Sequence, residues 1–494
     1  MKSLLRIVII LAVTVVLLVA GSCKSRPAAE NPAMDPARIE AVENVLKPAM
    51  YEKGKPPAGM NILDRMTHYH VPGVSVAVIN DGKIEWARGY GVKETGGQDP
   101  VTPETLFQAA SISKPVTALG VLCLVDKGIL DLDAPVNDKL VSWKIPENEF
   151  SEKEKVTLRL LLTHSAGLNV SGFPGYATSD RIPTPVQVLN GDRPANTPPV
   201  HIHMIPGSQW RYSGGGFVVA QLLLTDVTGK PFQDYMKTAV LDPLGMRHST
   251  FERPLPLDKA ARAASGHEMN GAAVKGKWHI YPELAAAGLW TTPSDLCRVA
   301  IELEKSAAGE SNLIISKEMA GKMLTPGIGN WGLGIGLGAP TTEERRSFSH
   351  GGGNKGFSCM LFAFVHKGQG AVVMTNSDNG NGLVMEILRS LSSVYEWSIL
   401  QPREVALIEI APEKLAPFVG DYRSVDDPNT PVLVSIEKGQ LHLKSSDFGD
   451  WALCPVSDTE FVYLDGGASV AFVMGSDGRY AQIKLGDAVF SRKT

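Results

Sequence analysis

Hydrophobic and polar positions divide the chain into stretches of different texture. Lys2 and Arg6 precede a run of 14 residues from Ile7 to Ala20 that is apolar except for Thr14 and is closed by the small residues Gly21 and Ser22. A helix that crosses a bilayer needs roughly 20 residues, so this layout is that of an export signal. From Cys23 to Pro36 the chain is polar and proline-bearing and reads as a tether, and folded texture begins near Ile39. Val74 to Ile79 is a β-rich run closed by Asn80-Asp81-Gly82, after which Ile84 and Trp86 alternate with polar residues, the mark of a hairpin. Between Pro115 and Leu130, Val116, Leu119, Val121, Leu122, Leu124 and Val125 recur at helical spacing and Gly128 supplies the stop. The middle, to about Leu296, is mainly helix and long loops, with one helix start marked by the Thr292-Pro293-Ser294-Asp295 cap. Strands return after Phe348, with Ser358 to Val365 and Ala371 to Thr375 joined through Gly368-Gln369-Gly370, followed by a helical run from Leu383 to Val394. Strands at both ends of this region predict one antiparallel sheet whose ends meet, flanked by helices and carrying a mainly helical insertion: an α/β (α+β) domain. Beyond a proline-bearing junction at Pro402 to Pro412, Val432, Val434 and Ile436 alternate, as do Leu441 and Leu443 after the Lys438-Gly439 turn. Further turns fall at Asp465-Gly466-Gly467 and Ser476-Asp477-Gly478, which predicts a small all-β domain. The expected organisation is a signal at 1–22, a tether at 23–38, a main domain at 39–402 and a β domain at 411–494.

With 494 residues the chain is long for one ordinary domain, which agrees with two folded units. Its net charge of -4 and lack of an extended basic run exclude a phosphate backbone as partner, so no nucleic acid is expected. Cys23, directly after Ala20-Gly21-Ser22, resembles the cysteine of a bacterial lipobox. That resemblance implies cleavage before Cys23, lipidation of its thiol, and an exported protein anchored to a bacterial membrane on its periplasmic or cell-surface side. Cys123, Cys297, Cys359 and Cys454 are scattered, with no Cys-x-x-Cys spacing, and read as buried free thiols.

Candidate chemistry centres on Ser111-Ile112-Ser113-Lys114. On a helix an offset of three places a hydroxyl and an amine on one face, and a serine becomes a nucleophile at neutral pH only beside a base. A lysine can be that base when burial or nearby cations depress its pKa. Pro115 belongs in a first helical turn, so the helix starts near Ser111, whose backbone N–H is then free to face a developing oxyanion. The spacing alone carries little: Ser435 and Lys438 repeat it at a strand end, where side chains three apart do not share a face. Order adds weight. Tyr212, in Tyr212-Ser213-Gly214 ahead of an apolar helix, can relay a proton. His350-Gly351-Gly352-Gly353 at a strand lets backbone approach substrate, with the Gly353 N–H as a second oxyanion donor.

Competing constellations exist. Ser377-Asp378-Asn379 follows the His350 strand and reads as turn chemistry. Thr163-His164-Ser165-Ala166-Gly167 is one residue from a Gly-x-Ser-x-Gly elbow, which would make Ser165 the nucleophile of an α/β-hydrolase with Val156 to Leu162 as its strand. His201-Ile202-His203 lacks an evident third ligand, so no metal site is expected.

Phe107-Gln108-Ala109-Ala110-Ser111-Ile112-Ser113-Lys114, Leu161-Leu162-Thr163-His164-Ser165-Ala166-Gly167-Leu168 and Ala287-Gly288-Leu289-Trp290-Thr291-Thr292 together resemble the serine β-lactamase-related family over about residues 60 to 400. That family includes class C β-lactamases, DD-peptidases, D-aminopeptidases and family VIII esterases. The resemblance implies an acyl-enzyme on Ser111, proton work by Lys114 and Tyr212, an oxyanion hole from the N–H groups of Ser111 and Gly353, substrate contacts at His350, Gly351 and Gly352, and no cofactor. The terminal domain resembles the lipocalin-like module appended to such hydrolases. Where class C enzymes carry Tyr-x-Asn this chain has Tyr212-Ser213-Gly214, and where they carry Lys-Thr-Gly it has His350-Gly351-Gly352. Loss of a side-chain amide and of a fixed positive charge weakens recognition of a β-lactam carboxylate. The expected substrate is therefore a small molecule or peptide, a short-chain ester or D-amino-acid cell-wall peptide ahead of a β-lactam. A lipoprotein that binds such ligands as a sensor, with little turnover, is the alternative.

Overall fold

Two strands, β1 (Gly73–Asn80) and β2 (Lys83–Gly91), make the expected hairpin, with Asp81 and Gly82 at φ +52° and +66° in the turn. The computed structural model describes residues 35–338, 342–425, 431–445, 449–475, 478–486 and 488–493. The export signal, Cys23 and the tether through Met34 lie outside those residues, as do Ser476 and Asp477. The first element, a helix over Pro36–Asn44, starts ahead of the expected Ile39.

β1 is buried from Gly73 to Ile79, as a strand covered on both faces must be, which is why its sequence is a continuous apolar run rather than an alternation. Its sheet is completed by β3 (Gly336–Leu337), β4 (Ser347–Asn354), β5 (Phe357–Phe364) and β6 (Gly370–Thr375) in the order β2-β1-β6-β5-β4-β3. All neighbours are antiparallel, and the β1–β6 pairing, with Val74 opposite Thr375, joins the two ends of the domain.

Of four long helices, α1 (Ser113–Asp126), α2 (Gly214–Thr228), α3 (Pro293–Ala308) and α4 (Gly380–Val394), the last two lie against the sheet and the first two share the core on the α3 side. α4 sets Leu383, Val384, Ile387, Leu388 and Leu391 against Val74, Val76, Val78, Phe364 and Val373 on one face. On the other, α3 packs Leu296, Val299, Ala300 and Leu303 in one core with α1, α2, Ala77, Ile79, Val372 and Met374. The predicted cap of α3 forms, the Thr292 hydroxyl accepting the Asp295 N–H at 3.2 Å. α1 is buried at every position from Ser113 to Leu124, so it is a central helix rather than an amphipathic one. Among the described residues no helix is long and apolar enough to cross a membrane.

The C-terminal strands β7 (Gly420–Ser424), β8 (Pro431–Glu437), β9 (Gln440–Ser445), β10 (Gly449–Pro455), β11 (Glu460–Tyr463), β12 (Ala468–Met474), β13 (Tyr480–Leu485) and β14 (Ala488–Arg492) form a closed antiparallel barrel in chain order. β7 pairs with β14, which removes both sheet edges. Alternate residues, among them Tyr422, Val432, Val434, Leu441, Leu443, Phe461, Phe472 and Ile483, fill the interior.

The barrel is fastened to the main domain through its β11–β12 turn. Ala49 and Met50 N–H groups donate to the carbonyls of Asp465 and Leu464 at 2.9 Å each. Arg65 donates to the fully buried Glu386 carboxylate at 2.8 and 2.6 Å and reaches Asp465 at 3.1 Å, while the Tyr69 hydroxyl donates to Glu386 at 2.8 Å. Removing the guanidinium takes the ion pair and two of three hydrogen bonds from this buried carboxylate, leaving it the Tyr69 hydroxyl and the field of Arg389. Arg65→Ala is expected to lower the unfolding free energy by about 3–5 kcal/mol, read from the urea midpoint of purified protein.

Candidate active site

The candidate nucleophile sits where a short strand gives way to α1. Phe107–Gln108 pairs with Trp290–Thr291, and the Ala109 N–H donates to the Leu289 carbonyl at 2.8 Å. A 3-10 turn over Ala110–Ile112 follows, and the Ser113 hydroxyl, at the start of α1, accepts the Leu289 N–H at 3.0 Å. Ala110 takes φ +48°, a conformation costly for a residue with a Cβ and typical of strain held at functional sites. α1 thus begins at Ser113, close to Ser111 and with Pro115 in its first turn as expected, and Gly128 follows its end at φ +68°.

This geometry brings Lys114 Nζ to 3.0 Å from Ser111 Oγ, and Nζ also donates to the Ala286 carbonyl at 2.9 Å. Lys114 is 2% exposed, and burial pushes its amine down to about 7. Near neutral pH a large share of the amine is therefore uncharged and has a lone pair for the serine proton.

Tyr212 precedes α2, whose N-cap is Ser213, its hydroxyl accepting the Gly216 N–H at 3.1 Å and donating to the Val170 carbonyl at 3.0 Å. The Tyr212 ring lies 4.9 Å from Lys114 Nζ. Burial pushes its phenol up to about 12, and a hydrogen bond with Ser111 pulls the other way. Gly214, where a side-chain amide would stand in Tyr-x-Asn, has no room for one: a Cβ there would lie 2.8 Å from the Phe173 ring and 2.9 Å from the Ser171 carbonyl.

The other wall is β4. His350 lies within this strand rather than at its start. Its Nδ1 is 2.6 Å from the Gly351 carbonyl, so Nδ1 carries the proton, and its buried Nε2 has no partner. Burial and the neighbouring Lys114 push the imidazole down to about 3, so this position is uncharged at neutral pH. Gly352 is required by close approach, since a Cβ would fall 2.3 Å from the Ala109 carbonyl and 2.6 Å from Cys359 Sγ. Gly351 and Gly353 are exposed, and the space at the Cβ position of Gly353 is open. Ser111, Lys114, Tyr212 and His350 therefore meet in one place, the His350 ring 6.3 Å from that of Tyr212, and Gly352 brings β4 against the turn that carries Ser111.

Aromatic rings surround these side chains. His164 lies 4.2 Å from Tyr212 between ring centroids, 5.4 Å from Phe217 and 5.1 Å from Trp331, which in turn is 5.4 Å from His350. Trp210, partly exposed, packs at 5.6 Å from Trp331 on the rim. Sequence reasoning assigned no role to His164, Trp331 or the Ala286 carbonyl. His164 stands in a family landmark and beside Ser165 in the near-elbow without a role of its own, Trp331 lies in a loop without periodicity, and a backbone carbonyl leaves no trace in residue type.

The competing constellations lie elsewhere or lack the needed form. Val156 to Leu162 is no strand, since a helix spans Leu158–Leu162, and the buried Ser165 hydroxyl shares a 2.8 Å hydrogen bond with Thr163. Asp378 accepts the Gly356 N–H at 2.6 Å and the Lys355 ammonium at 3.1 Å, bracing a turn. Ser435 lies in β8 and Lys438 in the following turn at φ +51°. The His201 and His203 rings are 6.5 Å apart. Cys123, Cys297 and Cys359 are buried free thiols as expected, whereas the free thiol of Cys454, on a barrel strand, is only half-buried.

An antiparallel sheet between helical layers, with a serine and lysine one turn apart at its edge and a tyrosine closing over them, defines the class of active-site-serine proteins built on the β-lactamase fold. The chain belongs to the Beta-lactamase family, whose model matches residues 60–393. Protein flp of Staphylococcus aureus strain MW2 is 26% identical over 330 residues, 62% of this chain and 60% of its own length. The chain thus spans less than two thirds of that relative. Penicillin-binding protein 4* of Bacillus subtilis is 25% identical over 432 residues, 82% of this chain and 90% of its own. The octameric penicillin-binding protein homologue from Pyrococcus abyssi shares the fold, at 23% identity and a TM-score of 0.58 over 87% of this chain and 98% of that one.

Proposed function

We propose that this protein is a serine hydrolase that transfers an acyl group to Ser111 and then to water. The observation that carries the reading is the buried Lys114 amine, lowered to about 7, at 3.0 Å from the Ser111 hydroxyl. Lys114 takes the Ser111 proton as Oγ attacks a carbonyl. The N–H groups of Ser111 and Gly353 hold the oxyanion. Tyr212, kept protonated, passes a proton toward the leaving group, and water attacks the acyl-enzyme along the same route in reverse.

The site's electrostatics narrow the substrate. His350 is uncharged and Gly214 offers no amide, so a substrate carboxylate finds no fixed cation at β4. The partly exposed rings of Trp210 and Trp331 suit an apolar acyl or leaving group. These features favour a short-chain ester or a D-amino-acid peptide over a β-lactam, while the Bacillus relative, by name a penicillin-binding protein, is the reason a β-lactam belongs in the test. Cys23 is proposed as a lipid anchor that holds the hydrolase on the outer side of a bacterial membrane.

Purified protein tested against a nitrophenyl butyrate, a D-Ala-D-Ala peptide and a chromogenic cephalosporin should turn over one of the first two faster than the third. Labelling of Ser111 by a fluorophosphonate without turnover of any would instead mark a binding protein. Tyr212→Phe is expected to lower kcat by about 10²-fold with little change in KM, measured on whichever substrate is turned over.

A further inference from the structure

One residue beside the proposed machinery has geometry that filling space does not explain. His164 is 1% exposed and takes φ +55°. Its Nδ1 accepts the backbone N–H of Ser213 at 3.1 Å, so the neutral ring carries its proton on Nε2. That Nε2 is buried and without a partner. A phenylalanine would fill the same volume without burying an orphan donor, so packing alone does not account for an imidazole here.

Its contacts fall on one neighbour from two sides. The imidazole lies against the Tyr212 ring at 4.2 Å with an interplanar angle of 35°, and Nδ1 holds the amide of Ser213, the very next residue. The side chain of Tyr212 and the peptide that carries it are thereby tied to one ring. His164 is in turn held by Phe217 and Trp331, and its own carbonyl accepts the Arg211 N–H at 2.7 Å. Residues 211 to 213 are thus bonded to His164 at both ends, with Tyr212 between.

We infer that His164 is the positioning residue for Tyr212, setting the phenol against Ser111 and Lys114. The inference rests on the reading of Ser111, Lys114 and Tyr212 as the acylating machinery. The charged and titratable groups that face His164 are Lys114, His350 and Tyr212, and burial with the nearby Lys114 and His350 keeps the imidazole well below its usual range and hence neutral. Its role needs the neutral form, because a proton on Nδ1 would break the bond to Ser213.

Two substitutions separate the two ties. His164→Phe keeps a ring against Tyr212 and removes the acceptor for Ser213. His164→Asn keeps an acceptor, suits a positive φ, and removes the ring. Each is expected to lower kcat 10-fold or more with KM changed less than 3-fold, and to move the pH profile of kcat, because a displaced phenol no longer faces Lys114. Wild-type kcat and an unmoved pH profile in either folded variant would overturn the assignment, and the Asn variant serves alone if the Phe variant does not fold. Fluorophosphonate labelling of Ser111 in the wild type keeps the two readings apart. An unlabelled wild type sinks the hydrolase proposal, whereas a labelled wild type with indifferent His164 variants sinks only this one.

Discussion

Ser111→Ala is expected to reduce turnover by about 10⁴-fold or more, since among the described residues Ser111 carries the one serine hydroxyl hydrogen-bonded to the Lys114 amine. The neighbouring serines make the controls. Ser113 is spent on the Leu289 N–H and Ser165 on Thr163, so Ser165→Ala should keep most of the activity. Single-turnover kinetics with a nitrophenyl ester would show the loss as a missing burst. A burst retained in the Ser111 variant and lost in the Ser165 variant would move the nucleophile to the α/β-hydrolase position.

Lys114→Met should separate activity from stability. The amine is wholly buried and its pKa falls from 10.5 to about 7, so the folded state binds its proton more weakly than the unfolded one. Below about pH 7 both states are protonated and the folded state carries the whole cost of burying the charge. Between about 7 and 10.5 the unfolded chain holds a proton that the folded chain lacks, so stability rises with pH across that window. Methionine removes this cost and loses the hydrogen bond to the Ala286 carbonyl. The variant should be about 1–3 kcal/mol more stable at pH 7, the gain shrinking toward pH 10, as read by urea denaturation at several pH values. Its kcat should fall by about 10³-fold or more. In the wild type the same group predicts a kcat/KM that climbs through about pH 7 as Lys114 becomes neutral. A profile flat from pH 5 to 9 would remove Lys114 as the base.

These expectations show which parts of the molecule are local. The β1–β2 hairpin, the Thr292 cap of α3 and the β8–β9 turn at Lys438-Gly439 each depend on residues within a few positions of one another, so their residue types announce them. Ser111 and Lys114 belong partly to this group, because an offset of three along a helical turn already places them together. Tyr212 and His350 do not, being about 100 and 240 positions away, and their order in the chain and flanking glycines, joined by a family likeness, pointed to them without placing them.

What the sequence by itself determined is therefore the periodicity of the elements, the pairing of Ser111 with Lys114 and the β character of the C-terminal strands. Tertiary structure decided the rest, because each remaining property comes from groups distant in the chain. The Lys114 amine loses its charge only because α1 is enclosed by α2 and by the short helix over Leu284–Ala287. Gly214 excludes a side chain because Phe173 and Ser171 press on it, and Gly352 does so because β4 lies against the Ser111 turn. The barrel closes when β7 meets β14, some 70 residues later. His164 reaches Tyr212 through a left-handed backbone that no pattern of hydrophobic positions encodes. Sequence records what each residue can do, and desolvation and close approach, which are properties of the packed interior, select which of these it does.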